Sequence, residues 1–445
     1  MADLGVAAAI PQADHRDRDQ VGRDRFVVSA MFVVHGVVTG TWTGRIPWVQ
    51  EHVHASLGVL GGVMVAPTVG ALLVMPRAGA VVRRFGDRVA LRLMLGVWTA
   101  CLALPALMPD PVALAAMLFF FGASAGLADV AMNAAGVRVE RRAGKSIMSG
   151  LHGLWAVGVL LGSGLGALCA RAGIGAPAEL GAVAVVLTVV AMVLPGLLSD
   201  QSLSAGLDSD GVEVSGLESA GLESAGPESA EPESAGLDVA PAAVRPAARE
   251  SLRRRVARGL ALPSRALLGI ALIGFCAIFA EGACNNWSAV YLVTVAHTGQ
   301  AVAAFALTGF ACTMAIGRLT GDAVVRRLGP VRTVRLGGVV ALIGSVTVVL
   351  GHTPVVAIAG FVLTGLGIAT TVPLAFAASG RATAHAESAI ASIATVTYTA
   401  GLLADPTVGL LGSAVSLSFA FGLVALLTVG LVLGAGALKD KPAPA

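Results

Sequence analysis

The chain has 445 residues, of which 56% are hydrophobic and only 13% charged, with a mean hydropathy of +0.82 and a formal net charge of +3. Soluble domains carry about 25% charged residues, and a single water-soluble core stops growing beyond roughly 250–300 residues, so the solvent for most of this chain is lipid. Composition alone excludes a secreted disulfide-stapled protein, a nucleic-acid binder and a soluble Rossmann-type protein.

In chain order, residues 1–25 mix Asp and Arg and hold no apolar run long enough for a signal-peptide core before Phe26. They are expected to form a cytoplasmic tail. A membrane helix needs about 20 mainly apolar residues. That ruler places six spans in residues 26–199, at 26–42 (extendable through Trp48), 57–76, 90–109, 112–135, 146–170 and 177–198. Residues 200–262 turn polar and contain a five-residue repeat on the pattern Gly216-Leu-Glu-Ser-Ala. Such a tract buries too little apolar surface to offset its chain entropy, and is expected to be a disordered cytoplasmic linker. Its closing basic run (Arg253, Arg254, Arg255, Arg258, Arg265) suits a topology anchor or anionic lipid headgroups. Six further spans fill residues 263–438, at 266–293, 300–320, 332–351, 354–378, 387–404 and 413–438, before a short cytoplasmic tail, 439–445.

The fold class expected is therefore an all-α membrane protein of twelve helices in two six-helix bundles. With the N-terminus inside, 28 of the 30 lysines and arginines fall on the cytoplasmic face, and only Arg45 and Arg171 fall opposite. That bias orients the chain with both termini cytoplasmic in a plasma (inner) membrane. The five cysteines lie in apolar stretches without metal or redox spacing and read as small packing residues.

The two halves echo each other. Arg83-Arg84-Phe85-Gly86 follows the second span, and Gly317-Arg318-x-x-Gly321-Asp322-x-x-x-Arg326-Arg327-x-Gly329 follows the eighth. Gly36 precedes Trp42 by six residues in span one, as Glu281 precedes Trp287 in span seven. Span five carries Ser149, His152, Trp155 and Gly158 at the spacing of Ser392, Thr395, Tyr398 and Gly401 in span eleven. Three matches at corresponding places argue for a duplicated six-helix unit.

On these residues the chain resembles the major facilitator superfamily of secondary transporters. The first loop departs from that family's signature, because Gly79 stands where its acid belongs. The stretches Trp42-Thr-Gly-Arg45-Ile-Pro47, Gly126-Leu-Ala-Asp129-Val-Ala-Met-Asn133, Ile147-Met-Ser-Gly-Leu-His152 and Glu281-Gly-Ala-x-x-x-Trp287 are similar to a bacterial subgroup that includes the membrane protein MosC. The resemblance implies a cavity built from spans one, four, seven and ten, alternating access by two rocking bundles, a small-molecule substrate and no cofactor. Span five has glycines but lacks the proline-containing motif of drug/proton antiporters.

Ionisable side chains at membrane depth cost about 2.5–3.5 kcal/mol or more and mark function by default. Asp129 in span four and Glu281 in span seven are the candidate proton-coupling groups. Asn133 and Asn285 follow them at four residues, on the same helix faces. Asn133, His152, Trp155, Asn285, Asn286, Trp287, Tyr398, Trp42 and His35 are the candidate substrate contacts, since aromatic faces beside amides and imidazoles suit a sugar- or cyclitol-like solute. For Trp42 and Trp287 an interfacial anchor is the alternative, and for Asp129 a tie to Arg138. Arg318, Asp322, Arg326, Arg327, Arg83 and Arg84 form the gating and loop motif, and Arg45 is offered as an outer gate with Asp405 or as a simple cap of its helix in water. No His spacing suits a metal. The expectation is a non-enzymatic, proton-coupled carrier of a small polar solute, monomeric, whose partners are substrate, protons and membrane lipid but no nucleic acid. A multidrug efflux pump and a non-transporting membrane sensor are the alternatives.

Overall fold

A computed structural model describes residues 15–144, 147–199, 267–382 and 386–439. The linker with its repeat, the basic run Arg253 to Arg265, Lys145, residues 1–14 and residues 440–445 lie outside the described residues. Among the described residues all regular structure is helical. Eleven helices among the described residues are long and apolar enough to cross a membrane. They are Asp19–Gly44 (span one), Leu57–Phe85 (two), Asp87–Leu107 (three), Pro111–Ala143 (four), Gly150–Arg171 (five), Ala176–Leu197 (six), Leu268–Thr294 (seven), Gln300–Leu328 (eight), Pro330–Leu350 (nine), Pro354–Ser379 (ten) and Leu417–Leu438 (twelve). The 29-residue helix Ala386–Ala414 takes the eleventh place.

The helices of spans two, four, eight and eleven outrun the apolar windows read from sequence. Span four is one 33-residue helix, about 50 Å long against a hydrocarbon core of about 30 Å. Asp110 caps its start, its Oδ1 accepting the backbone N–H of Val112 at 2.8 Å and of Ala113 at 2.9 Å, and Pro111 takes the first helical position. Gly144, with φ 62°, ends it in the left-handed conformation. Span one does not run straight through Trp48: the chain turns at Arg45 and resumes as a short helix, Ile46–His52, with Pro47 in its first turn. Span two is broken at Met75–Arg77 around Pro76, as a proline without an N–H requires.

The two motif stretches expected as loops are helical. Arg83 and Arg84 end the helix Ala78–Phe85, and Asp322, Arg326 and Arg327 lie in the last turns of span eight. Each stretch closes on a single glycine in the same rare conformation, Gly86 at φ 76°, ψ 156° and Gly329 at φ 75°, ψ 162°. Only glycine adopts that region readily. The internal repeat is thus a repeated backbone turn as well as a repeated sequence.

Contacts divide the chain into two compact units. The first holds residues 15–55 and 66–199. In it span one lies along span five, and span three lies against spans four and six. The seam between spans one and five is a pair of small-xxx-small stripes. A Cβ at Gly36 or Gly40 would strike the backbone of Trp155 or Val159, and one at Gly158 or Gly162 would strike Val33 or Val37. The second unit holds residues 56–65 and 267–439. There span seven lies against spans eight, eleven and twelve, and segment 56–65 packs on span eleven. A Cβ on Gly61 would stand 2.8 Å from the Asp405 carbonyl and 2.9 Å from the Gly409 Cα.

Candidate functional site

In the first unit the glycine seam brings span five close enough for Trp155 Nε1 to donate to His35 Nδ1 at 3.1 Å. A neutral imidazole that accepts at Nδ1 carries its proton on Nε2. Here Nε2 is buried and makes no hydrogen bond. Trp98 of span three stacks on the His35 ring with centroids 5.2 Å apart and an interplanar angle of 27°, and its own indole N–H is buried with no acceptor. Phe121 continues the cluster at 4.1 Å from Trp98, and Trp42 packs edge-on against Phe121 at 5.9 Å. His152 stands edge-on to Phe32 at 5.4 Å. The result is an aromatic cluster with two N–H donors lacking partners.

About two turns further along span four, Asn133 Nδ2 donates to the Asp129 carboxylate at 3.0 Å and to the Asp129 carbonyl at 2.9 Å. Asn133 Oδ1 is buried and unmatched. The expected tie from Asp129 to Arg138 is not made, because Arg138 donates to Asp87 at 2.8 Å. Asp87, at the start of span three, supplies an acid just after the arginine pair, on the other side from Gly79.

In the second unit Glu281 stands midway along span seven, and both its carboxylate oxygens accept from Arg318 Nη2, at 2.8 and 2.9 Å. Sequence reading assigned Arg318 to the loop motif. The structure corrects this: span eight continues for ten residues beyond it, so Arg318 sits about 15 Å inside the helix end. Asp322, Arg326 and Arg327 are exposed at that end, as are Arg83 and Arg84 at the end of span two. Asn285 shares the Glu281 face and is half-buried. Asn286 and Trp287 point elsewhere, and both donate to Asp405 of span eleven. Trp287 is 1% exposed, so in this structure it is an anchor for span eleven, with no free face for a solute. Tyr398, at the position matching Trp155, is 37% exposed.

The proposed Arg45–Asp405 gate is also corrected. Arg45 and Glu179 are both buried, and Arg45 donates to Glu179 Oε2 from Nε at 2.7 Å and again from Nη2, with a further bond to the Ile174 carbonyl at 3.2 Å. Glu179, which the sequence reading did not single out, lies in the first turn of span six. The signal was slight: Arg45 is one of only two basic residues set apart from the other 28 in sequence, and once buried it requires an acid beside it. Trp98 and Asp24 were also missed. Asp24 is fully buried, accepting from Arg142 at 2.7 Å and from Ser199 N–H at 2.8 Å, which ties the start of span one to the ends of spans four and six.

The sequence model of the Major Facilitator Superfamily matches residues 27–405. A Yersinia pestis protein described as an uncharacterized MFS-type transporter is 31% identical over 430 residues, covering 95% of this chain and 98% of its own. The membrane protein MosC of Rhizobium meliloti is 25% identical over 418 residues, covering 91% and 87%. Among solved structures, a D-xylose-proton symporter superposes with a TM-score of 0.64 at 14% identity, over 95% of this chain and 98% of its own, which speaks for the fold. The chain is a multi-pass membrane protein with the architecture of a secondary transporter, and it belongs to the Major Facilitator Superfamily.

Proposed function

We propose that this transporter moves a small polar solute of the sugar or cyclitol kind, coupled to protons and by alternating access, across a bacterial inner membrane with both termini cytoplasmic. The observation that carries the substrate class is the aromatic cluster of the first unit. His35 and Trp98 each present a buried N–H without an acceptor, and each such group costs about 1–3 kcal/mol if left unmatched. A solute bearing hydroxyl, ether or carbonyl oxygens, flat enough to lie against indole and imidazole faces, supplies the missing acceptors. Asn133 Oδ1 is the complementary acceptor for a hydroxyl proton, and Asp129, His152, Trp155 and Trp42 complete the proposed polar and aromatic contacts within the first unit; within the second unit Asn285 and Tyr398 are the proposed substrate contacts. Asn286 and Trp287 contribute through their hold on Asp405.

Glu281 is the proposed coupling group. As an anion it holds Arg318; once protonated, it lets go of a guanidinium that must find another acceptor or stand unpaired. Loading a proton on Glu281 and repositioning Arg318 are then one event, at a depth where an uncompensated charge is costly. The fold likeness to a D-xylose-proton symporter is in keeping with this reading. The exposed arginines at the ends of spans two and eight are assigned to loop contacts at the cytoplasmic face.

The test is thermal stability of the purified protein in detergent against a panel of sugars, cyclitols, amino-cyclitols and lipophilic cations. A ligand bound only by the folded state raises the apparent stability by mass action, about 2.7 kcal/mol at one hundred times Kd. Stabilisation by polar ring solutes that is lost in His35→Leu supports the proposal. Stabilisation by lipophilic cations alone replaces it with drug efflux.

A further inference from the structure

Sequence reading put Asp405 at the outer end of span eleven. The helix instead runs through Pro406 to Ala414, which leaves Asp405 about 14 Å of helical rise inside it. Asp405 is 6% exposed. Its carboxylate accepts from Asn286 Nδ2 at 3.0 Å on each oxygen and from Trp287 Nε1 at 2.9 Å on Oδ1. Among the described residues no cation pairs with it. Span eleven packs against span seven, the second half of span ten, span twelve and segment 56–65. The last of these carries no titratable residue. Span ten's helix offers only Arg381 and span twelve is followed by Lys439, each at the end away from Asp405. Span seven offers Cys276, Cys284, Tyr291, whose hydroxyl is bonded to the Val348 carbonyl, and Glu281, which is held by Arg318. Along span eleven itself the nearest are Tyr398 and Glu387, seven and eighteen residues earlier.

Three hydrogen bonds from neutral donors satisfy the anion but do not balance its charge. A proton on this carboxyl reverses the demand, because the new O–H needs an acceptor where an indole and an amide now offer hydrogens. An indole N–H can only donate. The remaining acceptor of this triad is Asn286 Oδ1, reached by turning the amide, so binding a proton rewrites the seam between spans seven and eleven. The change lies at the backbone on which Gly61 rests. We propose that Asp405 is a proton-binding site separate from Glu281, and that its charge state sets the hydrogen bonding between spans seven and eleven.

Difference infrared spectra of the full-length protein in liposomes, titrated from neutral to acid pH, test this without a known solute. A carboxylic-acid C=O band that grows on acidification in the wild type and in Glu281→Gln, and is missing in Asp405→Asn, is the expected result. In Trp287→Phe, which keeps the carboxyl but removes one donor to the anion, that band persists and Asp405 binds its proton about tenfold more tightly. An Asp405→Asn spectrum that keeps every titrating band overturns the proposal. If that variant does not fold, a Trp287→Phe titration superimposable on the wild type overturns it equally. Loss of a different band in Glu281→Gln reports on the coupling proposal alone, so the two carboxylates succeed or fail separately.

Discussion

Replacing Arg45 by Met should be among the most damaging single changes outside the proposed transport site. The substitution keeps most of the side-chain volume and removes the guanidinium, leaving Glu179 buried beside an unmatched Ile174 carbonyl. Breaking one side of a buried ion pair costs about 3–5 kcal/mol. The first unit has fewer than 200 described residues, a size at which 1 kcal/mol moves Tm by about 2–4 °C, so the loss should be roughly 6–20 °C. The double variant Arg45→Met/Glu179→Leu removes both charges and should recover most of that loss, because an apolar pair of similar volume often matches a buried ion pair. Thermal unfolding followed by intrinsic fluorescence in one detergent, with all variants at one scan rate, reads the four corners of the cycle. A double variant as unstable as the sum of the singles, or an Arg45→Met protein as stable as the wild type, refutes the account of a buried pair locking spans one and six.

Gly158→Ala should lower stability by about 1–3 kcal/mol, since its Cβ meets the Val33 carbonyl, whereas Gly164→Ala on the same helix has open space and should be neutral or slightly stabilising; paired melting curves check both. Gly86→Ala and Gly329→Ala should each cost about 1–3 kcal/mol, because the two turns share one glycine-only conformation. Equal losses at the two sites, measured the same way, are expected of a true duplication. Trp155→Phe should weaken a stabilising solute about tenfold, as His35 loses the bond that fixes its tautomer, with the unliganded Tm changing far less than the ligand response.

Much of the fold was legible because lipid imposes simple rules. Each span needs a long apolar run, and basic residues sort to one face. The order of helices follows from those two facts. Helix ends were less legible: hydropathy falls where a helix leaves the apolar layer, but its backbone hydrogen bonding continues, as it does past Arg318 to Leu328 and past Pro406 to Ala414. Within the candidate site, Asp129 with Asn133 was readable because both sit on one helix at four-residue spacing. The partnerships of His35 with Trp155, Glu281 with Arg318 and Arg45 with Glu179 join different helices. They depend on which helices touch, and for the first of them on the glycine stripes of spans one and five. Composition and spacing within one span do not carry that information.

The most direct test of the central claim is solute-driven proton movement in proteoliposomes, followed with an internal pH dye for the best stabilising solute of the panel. Coupling predicts that adding the solute to one side changes the internal pH in the wild type, that a proton ionophore abolishes the change, and that Glu281→Gln binds the solute but produces none. A wild-type protein that carries the solute across the membrane with no change in internal pH, or a Glu281→Gln variant with an undiminished one, contradicts it.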